Sequence, residues 1–311
     1  MELYSESESG EIGLCNLAAI VAGRVKEKEY YDVAYYTLLM IDNVISMMDY
    51  PFPQLEFTAQ NRRSVGVGIT NLAHDMAKRN LKYSSIEGKN YIHRLAELHS
   101  YSLHKASLAL AKEKGLAGWI DRTKYPEGWF PFDDASVHVD SVHTQEKLQD
   151  WETLRKEIIE FGGIRHSVLE AFMPAESSSI ASNTVNGLYP LRKLKVAKVS
   201  AKGKKNVIVA PDIDKIGHQY EIAWDIGTKD LIDMYAIVQK FTGQGISADI
   251  YIKYDEAGGE RKISSKKLLQ DYLYMYKMGM KTRYYINSSA GVDVMAEMTE
   301  VEQDDCESCK L

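Results

Sequence analysis

The chain has 311 residues, a net charge of −6, 45% hydrophobic residues and three cysteines. That is enough for one large domain or two ordinary ones. No apolar run approaches the ~20 residues of a membrane span, no basic-then-apolar leader opens the chain, and mild acidity argues against nonspecific nucleic-acid binding. A cytoplasmic protein with free or catalytic cysteines is expected.

In chain order, the polar, turn-like opening Ser5 to Gly10 leads into Ile12-Gly13-Leu14-Cys15-Asn16-Leu17, an apolar run that reads as a buried strand. Residues 27–48 read as a helix with Val33, Thr37, Met40, Ile41, Val44 and Met48 on one face, ended by Pro51 and Pro53. A strand is expected over 64–69 and a helix over 70–78. The glycines of Gly66-Val67-Gly68 are too few for a dinucleotide fingerprint. A long helix follows over 89–114, stopped by Gly115. His93 and Glu97 within it, and His138, Asp140 and His143 beyond it, supply too few convergent ligands to imply a metal. The basic stretch from Arg192 to Lys205 reads as a solvated hairpin or loop. A helix over 228–241, a strand over 246–254, a helix from Ser264 or Ser265 through Met278 and a strand over 281–288 complete the pattern. Alternating helices and strands predict an α/β fold with parallel strands and crossover helices, one domain over 1–290, and a flexible tail over 291–311.

Three features could carry chemistry. Cys306 and Cys309, spaced as a vicinal pair in an acidic tail, can close and exchange a disulfide. An inert tail or a metal half-site are the alternatives, the latter disfavoured because no histidine lies nearby. Pro174-Ala175-Glu176-Ser177-Ser178-Ser179 opens a short helix whose first-turn N–H groups could cradle an anion, or is an ordinary serine-rich helix start. Tyr284 and Tyr285 could pass an electron hole if stacked, although Tyr30-Tyr31 and Tyr35-Tyr36 are doublets too. Cys15 reads on its own as a small buried hydrophobe.

The order of these motifs resembles the C-terminal half of the large, catalytic subunit of class I ribonucleotide reductase. The resemblance runs from Gly10-Glu11-Ile12-Gly13-Leu14-Cys15 to Cys306-Glu307-Ser308-Cys309-Lys310-Leu311. Its most specific stretches are Met173 to Ser179 with Ser182-Asn183-Thr184-Val185-Asn186-Gly187, and Lys281-Thr282-Arg283-Tyr284-Tyr285-Ile286-Asn287. Trp151 to Pro174 also resembles a family signature, with Glu170 standing where a smaller or apolar residue is usual.

The resemblance implies the second half of a ten-stranded α/β barrel that reduces ribonucleoside diphosphates to 2'-deoxyribonucleoside diphosphates by radical chemistry. Tyr284 and Tyr285 would relay a radical from a small, metal-containing subunit. Ala175, Glu176, Ser177 and Ser178 would hold the substrate diphosphate. Cys15 would be one of two interior thiols that reduce the ribose. Cys306 and Cys309 would re-reduce them and be reset by thioredoxin or glutaredoxin. No cofactor or metal is implied in this chain. The family's radical-bearing cysteine, in an Asn-x-Cys-x-Glu context, has no counterpart, since Cys15 is the first cysteine. A separate N-terminal half is therefore expected as partner, making this a split subunit. An inactive remnant or regulatory fragment that binds the small subunit, and a free-standing dithiol carrier, are the alternatives. Retention of all five site residues, Cys15, both tyrosines and both tail cysteines, favours the enzyme.

Overall fold

The computed structural model describes residues 10–199, 205–253 and 264–289. In chain order its elements are β1 (Leu17–Val21), α1 (Tyr30–Met47), α2 (Pro53–Arg62), β2 (Gly66–Thr70), α3 (Leu72–Lys78) and α4 (Ile86–Lys114). Short 3-10 turns fill much of 120–141 before α5 (Trp151–Phe161) and α6 (Glu176–Ala181). The hairpin β3 (Lys195–Val199) and β4 (Lys205–Val209), α7 (Ile213–Ile216), α8 (Thr228–Gln239), β5 (Ile250–Lys253), α9 (Ser265–Lys277) and β6 (Ile286–Ser289) complete the order.

The strands build a partial barrel. β1 pairs in parallel with β2, from Leu17 opposite Gly66 to Val21 opposite Thr70. On its other side β2 meets residues 168–170: Val65 N–H donates to Val168 O (3.0 Å), Val67 N–H to Leu169 O (2.8 Å), and Val67 bridges Glu170 in parallel. That stretch passes the ladder on through Ser247 N–H to Phe172 O (3.1 Å). Tyr284 N–H then donates to Ala248 O (2.9 Å), and β5 pairs in parallel with β6. Each parallel stretch thus lies beside the one before it in the chain, with helices in the crossovers.

Helices cover the outside. On α1 the buried Tyr30, Ala34, Leu38, Ile41 and Ile45 recur every three or four residues, the spacing of one helix face. This stripe packs on α4, which packs in turn on α8. α4 begins where the Ser85 hydroxyl accepts the Gly88 N–H and ends at Gly115. α8 is buried without a break from Leu231 to Gln239, so it lies inside the protein. β2 is likewise buried at every position, as expected of a parallel strand covered on both faces. Its glycines serve close packing. A Cβ at Gly66 would sit 2.6 Å from Leu17 Cδ2 and 2.7 Å from Ala171 Cβ, and one at Gly68 2.5 Å from Ala171 O.

Several expectations need correction. The first strand begins at Leu17, where the expected one ends. Glu11 is held by Arg62 (2.7 Å) and Arg122 (3.0 Å), and Ile12 N–H by the Thr58 hydroxyl (2.9 Å), so residues 11–12 are pinned to neighbouring elements ahead of β1. Pro53 ends nothing: it occupies the first turn of α2, where its missing N–H is harmless. The last strand is shorter than expected, and Tyr284 and Tyr285 stand at its entrance. The basic stretch does form a hairpin. The tail over 291–311, with Cys306 and Cys309, lies outside the described residues.

Candidate active site

Parallel α/β sheets place their sites where strands end and loops begin. Here the stretch through Phe172 runs out at Met173-Pro174 into α6. Ala175 is buried, whereas Glu176, Ser177 and Ser178 are exposed at the head of the helix. First-turn N–H groups have no partner within a helix, so those of Glu176, Ser177 and Ser178 head an exposed turn. The Ser178 and Ser179 hydroxyls turn back to the carbonyls of Ala175 (3.1 Å) and Glu176 (2.8 Å).

A second loop clamps this turn. Asn186 Oδ1 accepts the Ala175 N–H at 2.6 Å. Residues around Asn186 are pinned to the end of β2: the Thr70 hydroxyl donates to Val185 O (2.8 Å) and accepts from Gly187 N–H (3.1 Å). Asn71 N–H donates to Val185 O (2.8 Å), and Asn71 Oδ1 accepts Val185 N–H (3.0 Å). From the turn after β1, the Arg24 guanidinium donates to Asn183 O at 2.9 Å, bringing a positive charge to the same rim. An exposed turn with N–H donors, a rigid clamp and an arginine suits an anionic group such as a phosphate.

Tyr284 and Tyr285 form a pair. Their ring centroids are 4.0 Å apart and their hydroxyls 3.2 Å apart, with Tyr284 39% and Tyr285 54% exposed. Their backbones are fixed, since Tyr284 N–H meets Ala248 O, Ile250 N–H meets Tyr285 O (2.9 Å), and Asp249 accepts from Tyr285 N–H (3.3 Å) and Asn287 Nδ2 (3.2 Å). Burial raises the Asp249 carboxyl above its ordinary range. The rings are tilted rather than stacked, at 52° between planes, and have the close approach and the exposed edge that electron and proton exchange between phenols requires.

Comparison with known proteins decides the family. The family model described as ribonucleotide reductase, barrel domain, matches residues 1–286. The chain belongs to the ribonucleotide reductase family. It is 38% identical over 301 residues to the ribonucleoside-diphosphate reductase subunit alpha of Haemophilus influenzae, covering 94% of this chain and 39% of that protein. To subunit alpha of reductase 1 of Escherichia coli it is 36% identical, covering 86% and 35%. To subunit alpha of Enterobacteria phage T4 it is 35% identical, covering 98% and 41%. The chain therefore spans about two-fifths of the length of these reductase subunits.

Within this reductase barrel the expected site residues are not all together. Ala175, Glu176, Ser177 and Ser178 follow a strand, whereas Cys15 precedes β1 and is exposed, not the buried strand residue expected. Neighbouring Asn16 is buried and ties the entrance of β1 to β2 through Gly66 N–H (2.8 Å). No described contact joins Cys15 to the turn or to the tyrosines. Of the residues weighed as metal ligands, Glu97 is occupied structurally: it accepts from the N–H groups of Leu148 (2.8 Å) and Gln149 (2.9 Å) and from Trp151 Nε1 (3.0 Å). His93 is buried against His143 and Phe241, and burial drives its imidazole down to about 3. Sequence reading missed Thr70, Asn71, Arg24 and Asp249. The available signal was an asparagine directly after a strand, which adopts the left-handed region (φ 72).

Proposed function

We propose that this chain forms the second half of the catalytic barrel of a ribonucleoside-diphosphate reductase. The observation that carries the reading is the clamped, exposed turn at Ala175–Ser178 on the strand-end rim of a partial reductase barrel. In this reading Ala175, Glu176, Ser177 and Ser178 hold the substrate diphosphate. Cys15 is one of the two thiols that reduce the ribose, and its exposure leaves it open to a substrate and to a second thiol outside this sequence. Two thiols lose two electrons and become a disulfide while the ribose 2'-carbon loses its hydroxyl as water. Cys306 and Cys309 then exchange with that disulfide, and thioredoxin or glutaredoxin resets them.

Tyr284 and Tyr285 carry the radical in from a metal-containing small subunit. Leu269, Leu273 and Tyr276 are exposed on α9, and Arg283 beside the pair lies over the Tyr272 ring of that helix (5.2 Å). This face suits docking of the small subunit close to the tyrosines. The radical cysteine and the rest of the barrel come from the N-terminal half of the subunit, and the work is cytoplasmic, where the dithiol reductants act. The chain itself needs no cofactor.

Asn186→Ala unhooks the turn from its clamp. It is expected to raise the KM for a ribonucleoside diphosphate about tenfold, the equivalent of one lost positioning interaction. Binding of the unphosphorylated nucleoside should not change. An unaltered KM refutes the diphosphate role.

A further inference from the structure

Beyond the β3–β4 hairpin the chain returns to the barrel at Asp212, whose carboxylate meets His74 Nε2 at 2.9 Å. His74 lies on α3 and is buried, with its ring parallel to that of Tyr220 (6.4 Å between centroids, 18° between planes). The Tyr220 hydroxyl donates to Pro211 O (2.8 Å), so the residue before Asp212 is fixed as well. The other imidazole nitrogen, Nδ1, stands 3.2 Å from Asn71 Nδ2.

Donors and acceptors around Asn71 determine which nitrogen carries the proton. Asn71 Oδ1 accepts from Val185 N–H, so Nδ2 is the donor, with one hydrogen for Ala22 O (3.0 Å) and one for His74 Nδ1. Nδ1 must then accept, and the ring proton sits on Nε2, facing Asp212. The Asn71 amide is fully matched in this one orientation only. Turned over, its oxygen would face Ala22 O and its NH2 would face the Val185 N–H.

We infer that His74 and Asp212 are a positioning pair for the nucleoside diphosphate, acting through Asn71. Asp212 fixes the imidazole tautomer, and the imidazole fixes the Asn71 amide. Asn71 fixes Val185, next to the Asn186 that holds the Ala175 N–H. The segment after the hairpin is thereby coupled to the turn. The inference rests on the diphosphate role of the Ala175–Ser178 turn.

The test compares Asp212→Ala, Asp212→Asn and His74→Phe in the complete reductase, with Asn186→Ala alongside. Asp212→Ala and His74→Phe are expected to raise the KM for the nucleoside diphosphate about tenfold while kcat stays within about twofold. Asp212→Asn keeps an oxygen to accept from Nε2–H and should hold KM near that of the wild type. The inference is overturned if Asp212→Ala leaves KM unchanged, if Asp212→Asn is as impaired as Asp212→Ala, or if kcat falls with KM intact. Asp212 is half-exposed, so its variants carry the test even where His74→Phe fails to fold. An elevated KM in Asn186→Ala beside a normal one in Asp212→Ala rejects the positioning pair alone. Normal KM in both rejects the diphosphate reading itself.

Discussion

Gly68→Ala tests how tightly the barrel sets its site. A Cβ at this position would lie 2.5 Å from Ala171 O and 3.1 Å from Met173 Sδ. The oxygen is about 0.9 Å short of the 3.4 Å at which ordinary contact begins. It belongs to the backbone of the stretch that leads into the Ala175 turn, and a carbonyl cannot step aside as a flexible side chain does. Either β2 or the 171–173 backbone must move by most of that distance. Overpacking of this kind costs about 1–3 kcal/mol. A shift approaching 1 Å at a binding turn can cost on the order of a hundredfold in kcat/KM. Urea denaturation and steady-state kinetics of the complete enzyme, measured on one preparation, should show both losses. Normal stability with normal kcat/KM would refute the idea that the β2 glycines exist to let the stretch through Ala171 approach.

Tyr284→Phe and Tyr285→Phe should each abolish turnover while leaving assembly with the small subunit intact; retained turnover removes the relay role. Cys306→Ser should stop repeated turnover with thioredoxin and spare turnover with a small dithiol, and equal loss with both contradicts the shuttle. Asp42 is fully buried between Arg165 (2.8 Å), Arg63 (3.1 Å) and His166 (3.5 Å). Burial opposes its ionisation, but the neighbouring His166, the Arg165 hydrogen bond and the Arg63 charge prevail and hold the carboxyl well below the usual range. A carboxyl depressed in the folded state contributes stability above its unfolded value near 3.8, and that stability is lost as pH falls below it. Asp42→Asn should cost about 3–5 kcal/mol at pH 7 and progressively less below pH ~4. Denaturation midpoints at both pH values check this, and a pH-independent difference would contradict it.

Much of the frame was legible because its signals are local. Ser264 before α9 and Gly279 after it bracket that helix as a cap and a stop should. The extents of α1 and α4 were legible for the same reason, but the face of α1 was not. Of the expected Val33, Thr37, Met40, Ile41, Val44 and Met48 only Ile41 is buried, and Met40 and Val44 are exposed. The helix turns Tyr30, Ala34, Leu38 and Ile45 inward instead. Pro53 misled because proline closes one helix and opens another with equal ease. Cys15 misled because an apolar run looks like a strand whether it joins the ladder at its first residue or at its last. The clamp was illegible in kind: Asn71 and Val185 are 114 residues apart, and hydrogen bonds across such separations leave no local pattern. The motif around Asn186 stood out only through the family resemblance, while His74 and Asp212 carry no spacing that ties them together.

If this chain supplies the diphosphate turn, the tyrosine relay and redox thiols to a reductase barrel completed by the remaining part of the subunit, turnover requires both parts together. The most direct test is reduction of labelled cytidine diphosphate by this chain with the small subunit and a dithiol, with and without the N-terminal half. Deoxycytidine diphosphate formed only in the complete mixture, and lost again with Cys15→Ser, is the predicted result. No product in any mixture, from folded and associated proteins, would contradict the claim and leave an inactive remnant.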